Sequence, residues 1–137
     1  MSVFKLEGIE ELNRAVNGLI SGLAPGNVEP LLMSAADIVT QEAQRNIDRQ
    51  FNVVTGRLAG SPVTKQLSSR DQHTPATAIA AIDRSHAAGA PHAHFLERGT
   101  SRMRARPFFR PAVDAKRYAV VDAVATGVAR LVQEAVR

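Results

Sequence analysis

The chain has 137 residues, enough for one domain with its own core, and it contains no cysteine, which excludes disulfides, thiolate nucleophiles and cysteine-based zinc sites. Its formal net charge of +4 is compatible with contact with nucleic acid but is also ordinary for a small soluble domain. Hydrophobic residues make up 45% of the sequence and aromatic residues only 4%, so the core must consist mainly of alanine, valine, leucine and isoleucine.

The first third of the sequence predicts a short strand and two helices. Residues 2–7 alternate in the manner of an edge strand. The apolar residues that follow recur at three- and four-residue steps, which predicts an amphipathic helix that ends at Pro25. A second, longer helix is predicted from about Val28 to Gln50, with Pro30 tolerated in its first turn.

The middle of the sequence predicts a small antiparallel sheet. Residues 57–69 suit a strand that is exposed on one face and interrupted at Pro62, and residues 76–83 have turn residues on both sides of a second apolar run. The segments 68–74 and 85–91 are rich in polar or small residues and are predicted to be loops. No apolar run is long enough to span a bilayer and the N-terminus lacks a secretion signal, so we expect a soluble, unsecreted protein.

The last third predicts a short helix, an extended segment and a long helix. Residues 92–98 suit one helical turn ended by Gly99, because glycine adopts positive φ at little cost. Residues 100–109 are expected to be extended, since Pro107 and Pro111 push the residues before them out of the α region. A final helix of about 25 residues is predicted from near Pro111.

These elements predict one α+β domain over residues 1–137. Two N-terminal helices and a long C-terminal helix are expected to pack on a small, mainly antiparallel β-sheet.

A possible metal site lies at His92, His94 and Glu97, which combine the imidazole and carboxylate ligands that zinc accepts. Histidines two residues apart point to different sides of a helix, however, and no H-E-x-x-H spacing is present. The pattern therefore favours a partly exposed turn over a metal-dependent hydrolase. The glycine spacings of a nucleophile elbow, a P-loop and a dinucleotide-binding loop are also missing, so we expect no enzymatic activity, metal or cofactor.

Five arginines lie close together near the start of the final helix: Arg98, Arg102, Arg104, Arg106 and Arg110. In an extended chain Arg102, Arg104 and Arg106 would share one face and form a row able to meet phosphates or carboxylates. A solvated edge strand protected by charge against aggregation is an equally good interpretation. We favour electrostatic contact with protein or DNA without sequence readout, and expect Glu97 to anchor one of the arginines in the same subunit or a neighbouring one.

Three phenylalanines flank these arginines, and Phe95, Phe108 and Phe109 are more typical of core packing than of an interface. Two adjacent residues of an extended chain cannot face the same side. One of Phe108 and Phe109 is therefore expected to point away from the domain's own core, where it would suit a partner surface.

Four motifs, in order over nearly the whole chain, resemble the small neck or tail-completion proteins of long-tailed double-stranded DNA phages, the head-tail joining family. They are Gly8-Ile9-Glu10-Glu11-Leu12, Thr55-Gly56-Arg57-Leu58, Ala93-x-Phe95-Leu96-Glu97-x-Gly99-Thr100 and Arg106-Pro107-Phe108-Phe109-Arg110-Pro111-Ala112. The last two, at this spacing, are the most specific. The chain departs from the family pattern at His92 and Arg98, where aromatic or apolar residues are common, and at Pro62, where members continue a strand.

The resemblance implies a structural protein of the virion, present in the host cytoplasm during assembly, that uses no cofactor and is not an enzyme. It implies a ring of identical subunits, expected to be six-fold, between the head connector or head-completion protein and a tail-tube or tail-terminator protein, with double-stranded DNA crossing the lumen. Contacts between subunits or with the connector are expected from Phe95, Glu97, Arg98, Gly99, Thr100, Arg102, Arg104, Arg106, Phe108, Phe109 and Arg110. The alternative is a free-standing basic module that binds DNA independently of sequence.

Overall fold

The computed structural model describes residues 9–52, 56–66, 77–84 and 90–137. Within these ranges the elements are, in chain order, α1 (Ile9–Gly22), α2 (Pro25–Gln50), β1 (Pro62–Gln66), β2 (Ala78–Ile82), α3 (Ala93–Arg98) and α4 (Phe109–Val136). The two strands pair antiparallel, with Pro62 opposite Ile82 and Gln66 opposite Ala78. The predicted α+β fold is confirmed.

Helix α2 is central because it contacts both strands and α4. Its buried side consists of small or β-branched residues, namely Ala35, Val39, Thr40, Ala43 and Ile47. The hydroxyl of Thr40 lies 2.9 Å from that of Thr64 on β1, so this buried polar group has a partner across the helix–sheet contact. Alanines from the rest of the chain complete a core in which Phe108 is the largest fully buried side chain.

Both long helices begin earlier than predicted, because a proline stands in the first turn of each. Helix α2 starts at Pro25, whose missing N–H would have no helical partner there, and Pro30 lies inside the helix. Helix α4 starts two residues before Pro111 and has 28 residues, which makes it about 42 Å long. No helix in the described part of the chain is long and apolar enough to cross a membrane.

The strand predicted over residues 57–69 is wrong in its first part. Residues 57–60 form a turn in which the N–H of Gly60 donates to the carbonyl of Gly56 at 3.0 Å. Pro62 begins β1 instead of interrupting it, as suits a residue that has no N–H to donate to a ladder. The predicted strand over residues 2–7, the loop over 68–74 and most of the loop over 85–91 lie outside the described residues.

Helix α1 approaches the C-terminal end of α4 closely, through glycine. A Cβ atom on Gly18 would overlap the backbone carbonyl of Ala135, and one on Gly22 would lie 2.7 Å from the Ala135 Cβ. No residue of α1 is fully buried. The contact therefore depends on the absence of side chains at these two positions.

We expect Gly18→Ala to lower the free energy of unfolding by about 1–3 kcal/mol, because overpacking against backbone outweighs the roughly 1 kcal/mol by which alanine favours a helix over glycine. Thermal unfolding followed by circular dichroism measures the change. Gly26→Ala is the matched control, since a Cβ there meets no atom within 4 Å, and it should keep or raise the Tm. Equal Tm gains from both substitutions would contradict the close helix contact.

A charged cluster also joins α2 to α4. The carboxylate of Glu42 lies 3.3 Å from Arg45, 3.7 Å from Arg49 and 3.6 Å from Lys116 of α4. Desolvation raises the pKa of Glu42. The hydrogen bond from Arg45 and the positive charges of Lys116, Arg45 and Arg49 together lower the pKa by more than desolvation raises it, so it falls below its ordinary value of 4.5.

The lowered pKa means that the folded protein binds this proton less readily than the unfolded chain. Glu42 therefore stabilises the fold above pH 4.5, and this contribution is lost as the pH falls from 4.5 through the lower native pKa. We expect Glu42→Gln to reduce stability at neutral pH and to lose its effect in acid. Urea unfolding of both proteins across pH 2–7 tests this, and a difference in stability that stays constant with pH would contradict it.

Candidate functional site

The carboxylate of Glu97, at the end of α3, binds the N-terminus of α4. Its Oε2 accepts hydrogen bonds from the N–H groups of Phe108 at 2.9 Å and Phe109 at 3.0 Å, and its Oε1 accepts one from Arg110 at 2.8 Å. The first N–H groups of a helix have no carbonyl partner in the helix and carry partial positive charge. Phe108, the residue in the N-cap position, supplies no side-chain acceptor, so Glu97 caps the helix from a distance.

Glu97 was expected to anchor an arginine of its own or a neighbouring subunit. Among the described residues it binds the backbone N–H of Arg110 but no arginine side chain. Three backbone N–H groups that point in the same direction bind both carboxylate oxygens. No long side chain has to be ordered to form these hydrogen bonds, unlike an ion pair with an arginine. An arginine from a neighbouring subunit stays a prediction. The capping role shows that Glu97 connects the two most specific motifs of the sequence.

The chain between these motifs turns back on itself, so the prediction that residues 100–109 are fully extended is wrong at its start. The N–H of Thr100 donates to the carbonyl of Met103 at 2.8 Å, and the Thr100 hydroxyl accepts from the N–H of Met103 at 3.1 Å and of Arg102 at 3.3 Å. Threonine favours such turns because its hydroxyl reaches backbone two or three residues ahead.

Gly99 makes this turn possible, and its predicted role in ending α3 is confirmed. It has φ 75°, which favours glycine, and a Cβ there would lie 2.7 Å from the nitrogen of Ala105 and 2.9 Å from the carbonyl of Met103. Any other residue would push the turn away from α3.

Arg106 is bound within its own subunit. Its N–H donates to the carbonyl of Leu96 at 2.7 Å, its guanidinium donates to the carbonyl of Gln50, and the guanidinium carbon lies 4.4 Å from the ring centre of Phe51. A cation suits the C-terminal end of α2, where carbonyl groups lack helical partners. The predicted row of three arginines on one face is therefore wrong, because Arg106 faces α2.

Two amides of α2 hold the same segment and were missed by sequence reasoning. Asn46 donates to the carbonyl of Phe108 at 3.0 Å, and Gln50 donates to the carbonyl of Pro107 at 3.2 Å. They are four residues apart and so lie on one face of the helix. We call residues 99–108, held by Glu97, Arg106 and these amides, the braced arm.

The other four arginines of the region are exposed, as Arg106 also is: Arg98, Arg102, Arg104 and Arg110. In the described part of the chain, no carboxylate lies within ion-pair distance of their side chains. The braced arm and its flanks thus present unpaired guanidinium groups on a fixed backbone.

The phenylalanines are arranged differently from the prediction. Phe108 is fully buried and packs edge-on against Phe51 with ring centres 6.3 Å apart, while Phe109 is partly buried against the core. Neither points away from the domain, because this pair begins a helix and is not extended. Phe95 is instead the exposed one, at 47%, with its ring 3.9 Å from that of His94.

A groove of about 280 Å³ lies beside Glu97, and its lining comprises Ile82, Arg84, His94, Glu97, Arg98 and Phe109. Ile82 and Phe109 supply its apolar surface, and Arg84 and Arg98 supply cations that have no ion-pair partner among the described residues. The Nδ1 atom of His94 is buried and has no hydrogen-bond partner among the described residues. Arg84 was missed by sequence reasoning. It lies two residues after the end of β2, and only the placement of that strand in the fold brings it to the groove.

No group of three histidine, aspartate or glutamate side chains in the described ranges is placed to hold a metal ion. Glu97 binds backbone N–H groups with both oxygens, so the only carboxylate of the predicted His92, His94 and Glu97 set is used to cap α4. The chain has no significant match among protein-family models, curated proteins or solved structures.

We expect Glu97→Gln to lower the free energy of unfolding by about 1–3 kcal/mol, because the amide keeps one acceptor and turns an NH2 group toward backbone donors. Urea unfolding measures the change. Glu134→Gln is the control, since Glu134 is 63% exposed and forms only a surface ion pair of 3.7 Å with Arg130, and it should change stability by less than about 0.5 kcal/mol. Equal effects would contradict the capping role.

Arg106→Ala should lower the Tm, because it removes both the hydrogen bond to the end of α2 and the packing on Phe51. Arg104→Ala, two residues away on the same arm, should leave the Tm within about 1 °C, as surface substitutions normally do. Differential scanning calorimetry of the two variants compares them. Identical unfolding curves would show that the side chain of Arg106 contributes no more to stability than that of Arg104, and would contradict its bracing role.

Proposed function

We propose that this protein is a neck or tail-completion protein of a long-tailed double-stranded DNA phage, which forms a ring that joins the head connector to the tail tube. One observation carries the proposal. The two most specific motifs of the resemblance, around Phe95–Thr100 and Arg106–Ala112, meet through the hydrogen bonds of Glu97 to the start of α4. Their joint occurrence at this spacing therefore has a physical reason, since neither motif builds the braced arm alone.

The charge on the arm supports a joining role. Arg98, Arg102, Arg104 and Arg110 are exposed on a backbone whose position is fixed by α2 and α3. A fixed backbone lowers the entropy lost when a partner binds, and guanidinium groups suit both carboxylates and phosphates. Such a surface fits contact with the acidic side chains of a connector or tail-tube protein.

The packing of the helices supports assembly from separately folded subunits. The core around Ile47 and Phe108 is built within one chain, and α2, α4 and the sheet all contribute to it. Each subunit can therefore fold before it joins a ring. Identical subunits related by rotation would surround a lumen through which DNA passes without base-specific contact. Six-fold symmetry is what the resemblance to the head-tail joining family implies.

Co-assembly tests the proposal. The full chain is expressed with the connector and tail-tube proteins encoded in the same genome, and the products are measured by size-exclusion chromatography with light scattering. We expect a complex that contains all three proteins and several copies of this chain. Arg102→Glu with Arg104→Glu should weaken joining without lowering the Tm of the isolated chain, because both side chains are exposed and unpaired. A chain that stays monomeric with both partners would contradict the proposal.

The same unpaired arginines favour a second candidate, a basic module that binds duplex DNA independently of sequence. Binding would then weaken steeply with salt, because each neutralised phosphate releases counterions. Arg102→Ala with Arg104→Ala should reduce the slope of log K against log salt by about 2. Fluorescence anisotropy with a labelled duplex measures it, and an unchanged slope would exclude this candidate.

A further inference from the structure

Helix α1 turns its large apolar residues away from the domain. Ile9, Leu12, Val16, Ile20 and Leu23 are between 41% and 66% exposed. At about 100° per residue the first four of these positions share one side of the helix, and Leu23 comes directly after its last residue. The opposite side holds the small residues Gly18 and Gly22, which contact α4. The helix is thus amphipathic, but its apolar stripe has no partner within the described chain.

The first turns of α1 extend past the end of α4. Gly22 lies against Leu131 and Ala135, and Gly18 lies against Ala135, so the two helices run antiparallel and meet near the end of the chain. Every residue from 9 to 14 is exposed. These projecting turns contain Ile9 and Leu12 together with the carboxylates of Glu10 and Glu11.

A surface of complementary chemistry lies at the other end of the subunit. The groove has an apolar floor of Ile82 and Phe109 and two cations, Arg84 and Arg98, that have no ion-pair partner among the described residues. Glu97 also lines it, but both of its carboxylate oxygens bind backbone N–H groups of α4. Phe109 begins α4 and Ala135 lies near its end, so the groove and the α1 contact are separated by about 39 Å along the helix. A subunit's own α1 therefore projects away from its own groove.

We propose that the projecting turns of α1 dock in the groove of a second copy of this chain. Ile9 and Leu12 cover the apolar floor, and the carboxylates of Glu10 and Glu11 meet the guanidinium groups of the groove. This inference rests on the ring assembly of the proposed function and names the contact between its subunits. Because the contact joins two different surfaces at opposite ends of the molecule, it is head-to-tail and repeats around a closed ring.

The charges favour this arrangement over pairing of two α1 helices. The last turn of α1 contains no basic residue, so in an antiparallel pair neither helix would bring a cation from its last turn to the acidic first turn of the other. The one cation of the projecting turns, Arg14, belongs to the same helix as Glu10 and Glu11 and does not select a partner. The groove, in contrast, supplies two cations, Arg84 and Arg98. Burying Ile9 and Leu12 gives affinity, and the opposite charges select the groove as the docking site.

Charge reversal tests the docking. One variant carries Glu10→Arg and Glu11→Arg, and the other carries Arg84→Glu and Arg98→Glu; their Tm values establish that both fold. Sedimentation velocity measures self-association of the full chain, alone and with the connector and tail-tube proteins. Each variant by itself should need at least ten-fold more protein to assemble than the unaltered chain. An equimolar mixture should recover assembly, because every contact in an alternating ring of the two variants is again between opposite charges.

Assembly of both variants like the unaltered chain, or failure of the mixture to recover, would overturn the docking. Assembly of the groove variant alone would point to paired α1 helices and overturn it also, as would a chain that does not self-associate under either condition. The docking and the proposed function can fail independently. If this chain forms a complex with the connector and tail-tube proteins and charge reversal has no effect on that complex, only the docking is overturned. If the chain self-associates in a charge-dependent way but forms no complex with the connector and tail-tube proteins, only the joining role is overturned.

Discussion

The binding of Glu97 to the first N–H groups of α4 is the contact on which the arrangement of the C-terminal half depends. A helix that begins with Phe108 and Phe109 has no capping side chain of its own, so its N-terminal donors need an acceptor from elsewhere in the chain. Glu97 supplies both oxygens, and this places α3 against the start of α4. The segment between them must then close within ten residues, which accounts for the positive φ of Gly99 and the tight turn that follows it.

The same contact separates arginines with different roles. Once the arm is fixed, Arg106 reaches the end of α2 and stabilises the fold, whereas Arg102 and Arg104 remain in solvent. Chemically identical side chains thus have different surroundings: Arg106 braces the arm against α2, whereas Arg102 and Arg104 have no side-chain partner among the described residues. Together with the projecting α1 at the far end of α4, this gives the subunit two distinct ends, a property that suits a protein whose copies associate head-to-tail.

Periodicity and glycine chemistry predicted the helices, the antiparallel strands and the end of α3, because those features depend on residues close in sequence. The capping role of Glu97 depends on residues 11 to 13 positions away, and the brace from Asn46 and Gln50 on residues more than 50 positions away. The alternation of polar and apolar residues along one segment contains no information on contacts between residues so far apart in the sequence. One local signal was available for Glu97: Arg106, Pro107 and Phe108, just before the final helix, offer no side-chain acceptor for its N–H groups.

The exposure of the phenylalanines was mispredicted for a related reason. Adjacent residues face opposite sides in a strand, but Phe109 already belongs to a helix, where neighbours are about 100° apart. Both rings of the pair can then contact the core, and Phe95 on the short α3 remains outside.

The most direct test of the joining role is a cryo-EM reconstruction of the assembled particle that contains this protein. We expect a closed ring of this chain between connector and tail tube, with the braced arm in contact with a neighbouring protein and DNA density in the lumen. A particle in which the chain lies outside the head-tail junction, or is bound there as a single copy, would contradict it.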